Sequence, residues 1–459
     1  MADYSVTLEA MLKTLLEENK YSTLKDVLIT MNPADVALAF EEIDDERIPL
    51  MFRLLPKDMA AETFVEMDPD LQELLIKGFS DYELREVVDE LAADDAADLI
   101  EEMPANVVKR VLSSVDPDFR KQINDILRYP EDSAGSIMTT EYVTLREDMT
   151  VEDAIAKIRR VALDKETVYT LYVTDRRTLV GIVSLKDLLL VSNDSTLIGD
   201  IMDTNFICVN TQDDSEEVSQ KLKRYNFLAL PVVDNENRMV GIVTFDDAMD
   251  VIEEGATEDI EIMAGMTPSG GKTYYRSTPF DLFKQRIPWL MLLMISATFT
   301  GMIINHFESA LATQVVLTAF IPMLMDTGGN SGSQSSVTVI RALSLDELEF
   351  EDLPVVIWKE IRTSVLCGVC LAAACFVKIM LIDRMLLGNT DVTIPVAAVV
   401  CATLAVTVLL AKTIGCTLPM IAKKLGFDPA VMASPFITTA VDALSLLVYF
   451  RISTALLFR

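Results

Sequence analysis

The chain has 459 residues, of which 51% are hydrophobic and 24% are charged, and its formal net charge at pH 7 is −32. Residues 276–459 carry 13 acidic and 13 basic side chains, so the whole net charge lies on the first 275 residues. Such an acidic region repels nucleic acid, which excludes a nucleic-acid partner, and it concentrates cations. A solvated acidic surface that only aids solubility is the alternative.

Residues 1–132 are predicted to form an acidic, all-α domain. The segment from Met1 to Lys20 carries four acidic side chains and no unbroken apolar core, so no signal peptide is expected and this part stays in the cytosol. A short pattern of Pro or a small residue followed by Asp then opens three helix-like runs: Pro33-Ala-Asp-Val-Ala, Pro56-Lys-Asp-Met-Ala and Ala92-Ala-Asp-Asp-Ala-Ala. The repeat predicts a superhelical stack of helices, with Asp94 and Asp98 on one side of the third.

In residues 133–254 the spacing of apolar residues changes from a helical pattern to one in which strand-like and helix-like runs both occur. Strands are predicted over Val168–Val173, Leu179–Val183, Phe206–Val209, Leu228–Val233 and Met239–Val243, and helices over Val151–Arg160 and Ser215–Arg224. Two runs match at a spacing of 60 residues, Leu179-Val-Gly-Ile-Val-Ser-Leu-Lys-Asp187 and Met239-Val-Gly-Ile-Val-Thr-Phe-Asp-Asp247. This duplicated segment resembles a tandem pair of CBS modules, each a β-α-β-β-α unit.

In the CBS family, the Ser or Thr and the Asp of this repeated motif often hold the ribose of an adenine nucleotide. The resemblance therefore implies that Ser184 with Asp187, or Thr244 with Asp247, contacts a nucleotide. The alternative is that both pairs are helix N-caps, because Ser, Thr and Asp are favoured there whatever the ligand.

An acidic helix is predicted from Asp246 to Met266, with an interruption at Gly255. Its carboxylates Asp247 and Asp250, and then Glu254 and Glu258, lie on shared faces at spacings of three and four residues. A linker, residues 267–277, joins this helix to the first long apolar run.

Five apolar runs follow within residues 278–459, and each is long enough to cross a hydrocarbon core, which takes about 20 residues. They extend over Ile287–Ile304, Leu311–Ile340, Val355–Met385, Val392–Ile421 and Val431–Phe450. Lys and Arg lie before the first run, between the second and third, and between the fourth and fifth. This distribution predicts a cytosolic N terminus, and an odd number of crossings then places the C terminus outside.

The second run is too long for a straight crossing and contains a polar, glycine-rich motif, with Pro322, Gly328, Gly329, Asn330, Gly332 and Gln334. The glycines allow backbones to approach closely, and Pro322 is expected to free a carbonyl, so loosened backbone beside a polar path is predicted. Small-residue helix packing is the alternative.

The last run contains a single carboxylate, Asp442. An ionised side chain near the middle of a membrane span costs at least ~2.5 kcal/mol, and the neighbouring hydroxyls cannot neutralise it. A cation that comes and goes is therefore predicted as its partner. The alternative is a structural ion pair with Lys378 or Lys412, although both lysines are expected near span ends, where they can snorkel outward.

The chain as a whole resembles the MgtE family of magnesium channels. The resemblance rests on the order of the parts, with an acidic helical domain, a CBS pair, an acidic connecting helix and five spans, and on G-G-N-x-G-x-Q and P-h-h-T-T-h-h-D motifs, where h is apolar. It implies a homodimer in the bacterial cytoplasmic membrane that admits Mg²⁺ into the cytosol. It also implies that Mg²⁺ binding to the acidic cytosolic domains closes the pore, and that ATP or another adenine nucleotide binds the CBS pair.

Carried over by motif, the implied pore residues are Asp442, Thr438 and Ser434. The implied sensor residues are Glu62, Asp94, Asp98, Glu216, Asp247, Asp250, Glu258 and Asp259. Family members often have Asn, Asp and Glu where this chain has Ser434, Asn226 and Gly255. These departures bear on the ion preference and on the number of sensor ions.

Two other functions remain open from the residues alone. An ion-coupled secondary transporter of divalent cations would use Asp442 as its coupling site, although no inverted repeat is visible. A membrane-anchored nucleotide receptor would leave Asp442 and the polar second run without a role. An enzyme is not expected, because the single histidine, His306, lies at a span end without catalytic partners.

Overall fold

The computed structural model describes residues 2–269, 274, 277–308 and 314–457, with side chains from residue 10 onward except those of Glu102, Ser114, Asp164 and Ser434. The chain divides into two compact units, one comprising the residues up to Gly255 and the other beginning at Ala256. The predicted linker, residues 267–277, lies partly outside the described residues.

The first unit opens with helices only, as the sequence predicts: α1 (Ala2–Glu17), α2 (Tyr21–Leu28), α3 (Pro33–Glu41), α4 (Ile48–Phe52), α5 (Lys57–Val65), α6 (Pro69–Gly78), α7 (Asp81–Val88), α8 (Ala93–Glu102), α9 (Ala105–Ser114) and α10 (Pro117–Ile126). The three repeats begin α3, α5 and α8. At α3 the Asn32 side chain accepts a hydrogen bond from the Ala34 N–H at 3.0 Å, which caps the helix. One apolar core, including Phe40 and Phe64, joins these helices.

Two β-α-β-β-α units follow, in agreement with the predicted CBS pair. Their elements are β1 (Thr144–Leu145), α11 (Val151–Val161), β2 (Thr170–Asp175), β3 (Thr178–Ser184), α12 (Leu185–Leu190), α13 (Ile198–Ile201), β4 (Val209–Asn210), α14 (Ser215–Tyr225), β5 (Ala229–Val233) and β6 (Met239–Thr244). In each unit the first strand pairs parallel with the second, which pairs antiparallel with the third. The two copies of the 60-residue repeat therefore contain the equivalent strands β3 and β6.

The first strand of each unit departs from the prediction. Strand β1 was not anticipated, and residues 206–208 of the strand predicted over Phe206–Val209 are not in a strand. Both β1 and β4 pair along only two residues. A pattern that short is below the length at which alternation identifies a strand.

The acidic helix α15 (Phe245–Met263) runs without a break through Gly255, so the predicted interruption there is wrong. A Cβ at Gly255 would lie 2.8 Å from Oε1 of Glu216 on α14. The glycine leaves room for this carboxylate and does not break the helix. The helix ends instead at Met263. Gly265, which has φ +72°, lies just beyond this end, and the Met266 N–H bonds the Glu261 carbonyl at 2.9 Å.

The second unit contains five long helices in its described part: α16 (Pro279–His306), α17 (Ile321–Ser344), α18 (Leu353–Lys378), α19 (Ile394–Lys424) and α20 (Ser434–Leu457). Short 3₁₀ helices precede α17 (Val315–Phe320) and α20 (Pro429–Met432), and a π-helical segment (Ile379–Leu386) follows α18. Among the described residues, four helical segments are long and apolar enough to cross a membrane: Pro279–His306, Phe350–Leu386, Ile394–Lys424 and Pro429–Leu457. Helix α17 has the length but is too polar to be among them.

The predicted second span is a 3₁₀ helix followed by the regular helix α17, and its residues 311–313 lie outside the described part. Pro322 is in the first turn of α17, where a missing N–H interrupts no helical hydrogen bond. It frees no carbonyl, and residues 328–336 are ordinary α-helix. The prediction of loosened backbone in this motif is therefore wrong.

Candidate cation sites

Asp442 lies on α20 with its carboxylate oxygen Oδ1 buried, and no described residue donates a hydrogen bond to that oxygen. The alternative ion pairs do not form. Lys378 pairs with Asp383 at 2.9 Å, and Lys412 donates to the Ser335 hydroxyl at 3.4 Å. The charged group that acts on Asp442 is Asp326 of α17, a second carboxylate.

Lys412 also departs from its prediction. It was expected near a span end with its ammonium snorkelling outward, but it lies near the middle of α19 and only 6% of the residue is exposed. Helix α19 packs extensively against α17 and α18, and the Lys412 ammonium reaches Ser335 of α17.

Asp326 was not identified from the sequence, although it lies within the glycine-rich motif, two residues before Gly328. Asn330, one turn later on α17, donates a hydrogen bond from Nδ2 to Asp326 Oδ1 at 3.1 Å. Asn330 thereby orients the carboxylate. Asp326 is exposed in the single chain, whereas Asp442 is half-buried. Two carboxylates that repel one another are stabilised by a cation.

Glycines hold α17 directly against the helix that carries Asp442. A Cβ at Gly328 would lie 2.8 Å from Ser445 Oγ, and a Cβ at Gly329 would lie 2.8 Å from Thr438 Cγ2. A Cβ at Gly332 would lie 2.7 Å from Ile437 Cγ2. The glycine-rich motif therefore packs against α20, while Asn330 and Gln334 of the same motif are exposed in the single chain.

We expect Gly329→Ala to destabilise this unit, because the added methyl group would force α17 and Thr438 apart. Overpacking of this kind costs about 1–3 kcal/mol. Thermal unfolding of the detergent-solubilised protein measures the effect. Gly301→Ala on α16 is the matched control, since a Cβ there meets no atom within 4 Å and should leave the unfolding temperature unchanged or raised. Equal unfolding temperatures for the two variants would contradict the packing argument.

The hydroxyl groups beside Asp442 are mostly bonded to their own helix. Thr439 donates to the Pro435 carbonyl at 3.0 Å, and Ser445 donates to the Val441 carbonyl at 2.6 Å. Thr438 contacts Gly329. The side chain of Ser434 lies outside the described residues. Pro435 is in the first turn of α20, so, like Pro322, it interrupts no helix.

A second group of carboxylates, termed here the acidic cluster, lies in the first unit and consists of Asp94, Asp95, Glu166, Asp246 and Asp247. Helix α8 contributes the first two, the segment before β2 contributes Glu166, and the first turn of α15 contributes the last two. Asp94 is 8% exposed, and its Oδ1 is buried without a hydrogen-bond partner among the described residues. The neighbouring side chains whose charges act on Asp94, those of Asp95, Asp247 and Glu166, are all acidic.

Burial and repulsion by neighbouring carboxylates raise the pKa values of four of these groups, Asp94, Asp95, Glu166 and Asp247. Burial, aided by the charges of Asp95 and Asp247, raises the pKa of Asp94 to about 8. The same causes raise the pKa of Glu166 to about 7 and that of Asp95 to about 6. Burial also raises the pKa of Asp247, although a hydrogen bond from the Thr244 hydroxyl at 2.5 Å opposes this. The cluster is therefore short of positive charge.

The structure places the other predicted sensor residues differently. Asp98 is exposed, so it does not share the buried environment of Asp94, although the two lie four residues apart on α8. Glu62 is also exposed, and Glu66 at the end of α5 is the residue whose charge acts on Asp250. The charge of Asp250 in turn acts on Glu254.

Glu216 lies against Gly255, within the first unit. In the second unit, the Ser344 hydroxyl donates to Asp259 Oδ2 at 3.2 Å, and burial raises the pKa of Asp259. Glu258 is exposed. Among the described residues, no three His, Cys, Asp or Glu side chains converge as ligands of one bare metal ion.

The two predicted nucleotide-binding pairs each lie at the start of a helix. The Ser184 hydroxyl accepts from the Asp187 N–H at 3.0 Å and donates to Asp187 Oδ2 at 2.6 Å, at the start of α12. At the start of α15, the hydroxyl and the backbone N–H of Thr244 both donate to Asp247 Oδ2, at 2.5 and 3.4 Å. Asn226, at a φ of 54°, closes α14 in the left-handed conformation that Asn tolerates.

Comparison with known families covers most of this architecture. Residues 321–452 match the MgtE family, described as a divalent cation transporter. Residues 31–132 match the MgtE intracellular N domain, and residues 134–194 and 198–254 match the CBS domain.

Individual proteins match over nearly the whole chain. The chain is 36% identical to the magnesium transporter MgtE of Thermus thermophilus, over 97% of this chain and 98% of that protein. It is 34% identical to the magnesium transporter MgtE of Bacillus subtilis, over 96% and 95%. Enzymes such as an inosine-5'-monophosphate dehydrogenase of Korarchaeum cryptofilum match only 25% of the chain.

Among solved structures, the chain is similar to the cytosolic domain of the Mg²⁺ channel MgtE in complex with ATP, at 38% identity and a TM-score of 0.51, over 53% of this chain and 99% of that one. It is also similar to the soluble part of a magnesium transporter, at 29% identity and a TM-score of 0.51. The full-length matches, together with the helical N domain, the CBS pair and the apolar helices in the same order, show that this multi-pass membrane protein belongs to the MgtE family of magnesium transporters and is not an enzyme.

Proposed function

We propose that the protein is a Mg²⁺ channel that admits Mg²⁺ into the cytosol along a path lined by Asp442. The observation that carries this proposal is the buried, unpartnered Oδ1 of Asp442, on which a second carboxylate, Asp326, acts in place of a lysine. An anionic pair without a counter-charge at membrane depth is costly unless a cation occupies it.

Mg²⁺ suits this arrangement. It prefers octahedral oxygen ligands, gives up its waters reluctantly and typically binds one or two carboxylates. In a homodimer with the path on its two-fold axis, two Asp442 carboxylates would face one hydrated ion. Thr438 and Ser434, one and two turns earlier on α20, would accept or donate hydrogen bonds to its waters. Oxygen ligands of this kind discriminate little between Mg²⁺ and Mn²⁺ or Co²⁺.

The acidic cluster is the proposed sensor that closes the path. At low cytosolic Mg²⁺ its carboxylates repel one another, α8 separates from the start of α15, and the path opens. When Mg²⁺ rises, hydrated ions bridge Asp94, Asp95 and Asp247 and restore the compact arrangement. This coupling requires tighter Mg²⁺ binding to the compact state than to the open state. Weakly liganded, hydrated sites of this type have millimolar affinities.

The remaining acidic residues extend this sensor along α15. In the first unit, the charge of Glu66 acts on Asp250 and the charge of Asp250 acts on Glu254, and Asp259 belongs to the second unit. Helix α15 is continuous between them. The proposed orientation places the N terminus in the cytosol of a bacterial cell and the C terminus outside. Lys and Arg lie before the first span, between the second and third and between the fourth and fifth, and these segments are the cytosolic ones in this orientation.

Electrical recording tests the channel assignment. The protein reconstituted in planar bilayers under a Mg²⁺ gradient should give single-channel currents that millimolar Mg²⁺ on the cytosolic side closes. Mg²⁺ uptake that needs a proton or Na⁺ gradient, without such currents, would instead establish an ion-coupled secondary transporter.

ATP is the proposed ligand of the CBS pair, because the similar cytosolic domain was solved in complex with ATP. We expect Asp187→Asn to weaken ATP binding about tenfold, as for a lost hydrogen bond to a ribose, in titration calorimetry of the purified protein. Asp153→Asn is the matched control, because Asp153 accepts from Thr150 at 2.8 Å in the same type of cap at α11. Equal ATP affinity for the two variants would show that Asp187 is only a cap.

A further inference from the structure

The second unit contains a buried lysine, Lys412, to which the function proposed above assigns no role. Lys412 of α19 donates a hydrogen bond to Ser335 Oγ of α17 at 3.4 Å, and the residue is 6% exposed. Ser335, 2% exposed, donates in turn to Glu360 Oε2 of α18 at 2.7 Å. One cation and one anion are thus joined through a single hydroxyl across three helices. These three residues are termed here the polar relay.

The hydrogen bonds of the polar relay have a fixed direction. A serine hydroxyl has one proton, which Ser335 gives to Glu360, so its oxygen can only accept from Lys412. Among the described residues, Ser335 is the one hydrogen-bond acceptor of the Lys412 ammonium, and no carboxylate forms a direct ion pair with it. Glu360 is therefore the anion that offsets the Lys412 charge, and it does so through the hydroxyl.

The helix of Lys412 packs against the helix of Asp442 one residue away from each of these two side chains. Lys412 directly follows Ala411, which packs in a buried cluster with Ile437 and Val441. Val441 directly precedes Asp442. Charges in apolar surroundings are weakly screened, so we expect a change of charge at Lys412 to alter the electrostatic potential at Asp442.

We propose that the polar relay sets the electrostatic potential of the cation path at Asp442, with Glu360 cancelling the repulsion that Lys412 exerts on an approaching divalent ion. This inference rests on the proposed path at Asp442. Lys412 and Glu360 are positioning residues, since they act on the ion through their field and do not touch it. Removing the charge of Glu360 leaves a buried cation that repels Mg²⁺, whereas removing the charge of Lys412 leaves an anion that attracts it.

The two single variants should therefore shift transport in opposite directions. In proteoliposomes with Mg²⁺ varied outside, we expect Glu360→Gln to raise the apparent KM for Mg²⁺ about tenfold and Lys412→Met to lower it several-fold, as Coulomb's law gives for one charge in weakly screened surroundings. The double variant, in which both charges are removed, should return the KM to near the wild-type value. Lys378→Met is the control, because Lys378 pairs with Asp383 and should leave the KM unchanged.

A purely structural role predicts a different pattern. If the relay only held the helices together, both single variants would change the KM in the same direction and the double variant would be no better, and this result would overturn the proposal. The double variant decides the question even if a single variant fails to fold, because neutral groups of similar volume commonly replace buried ion pairs without loss of stability. A double variant with a KM far from wild type also rejects the proposal.

The variant Asp442→Asn, measured in the same proteoliposomes, distinguishes a failure of the relay proposal from a failure of the proposed path. If Asp442→Asn is inactive and the relay variants show no opposite shifts, the relay proposal alone fails. If Asp442→Asn transports Mg²⁺ like wild type, the proposed path itself is wrong, whichever way the relay variants behave.

Discussion

Asp442→Asn is expected to reduce Mg²⁺ flux into proteoliposomes about a hundredfold or more. The substitution keeps the size of the side chain but removes the negative charge that the ion needs at membrane depth, and in a homodimer it removes two such charges. Loss of one partner of a buried charge pair typically costs about 2–5 kcal/mol, and each 1.4 kcal/mol is a factor of ten. Fluxes measured with a Mg²⁺-sensitive dye inside the liposomes report the effect.

Two further variants define the specificity of this result. Asp391→Asn, an exposed aspartate in the segment between α18 and α19, should transport like wild type. The Mg²⁺ flux through Asp326→Asn should lie between the fluxes through Asp442→Asn and Asp391→Asn, because the charge of Asp326 acts on Asp442. Wild-type flux through Asp442→Asn, with the protein intact and correctly inserted, would rule out a path at this residue.

The first unit is expected to become compact, without Mg²⁺, when the pH is lowered from about 8 to about 6. The pKa values of Asp94, Glu166 and Asp95 are raised in the compact arrangement, to about 8, about 7 and about 6. At pH values between the ordinary carboxyl pKa of about 4 and these raised pKa values, the compact state binds more protons than the separated state. The stability of the compact state therefore falls as the pH rises through this range. Above about pH 8 these carboxyl groups are ionised in both states, and the compact state is destabilised by the full amount.

Limited proteolysis of the full-length protein in detergent measures this compaction. At pH 8, millimolar Mg²⁺ should protect the segments around α8 and the start of α15, and at pH 6 protection should appear without Mg²⁺. Asp94→Asn should be protected at pH 8 without Mg²⁺, because the buried charge that opposes compaction is gone.

Asp35→Asn is the matched control for this experiment. Asp35 occupies the same position in the first helical repeat as Asp94 in the third, but it is exposed, so its substitution should leave the Mg²⁺ and pH dependence unchanged. Cleavage rates that are equal with and without Mg²⁺, at both pH values, would contradict the sensor assignment of the acidic cluster.

The sequence by itself determined the order of the parts and the identity of the family. The 60-residue repeat from Leu179 to Asp247, the helix-start pattern and the long apolar runs are all local patterns, whose period follows from the geometry of a single helix or strand. Asp442 was also visible locally, because a carboxylate in an apolar run stands out without knowledge of its neighbours. The short strands β1 and β4 were missed because pairing over two residues leaves no period to detect.

Only the tertiary structure decided which charges meet. Glu166 joins Asp94 although the two lie far apart in the sequence, and Asp326, not a lysine, acts on Asp442. Lys412 was expected to snorkel and is instead buried against Ser335. Burial and the identity of an opposing charge depend on how separate helices pack, and no pattern within one helix records its neighbour. The continuity of α15 through Gly255 has the same origin, since the space that this glycine leaves is filled by Glu216 of another helix.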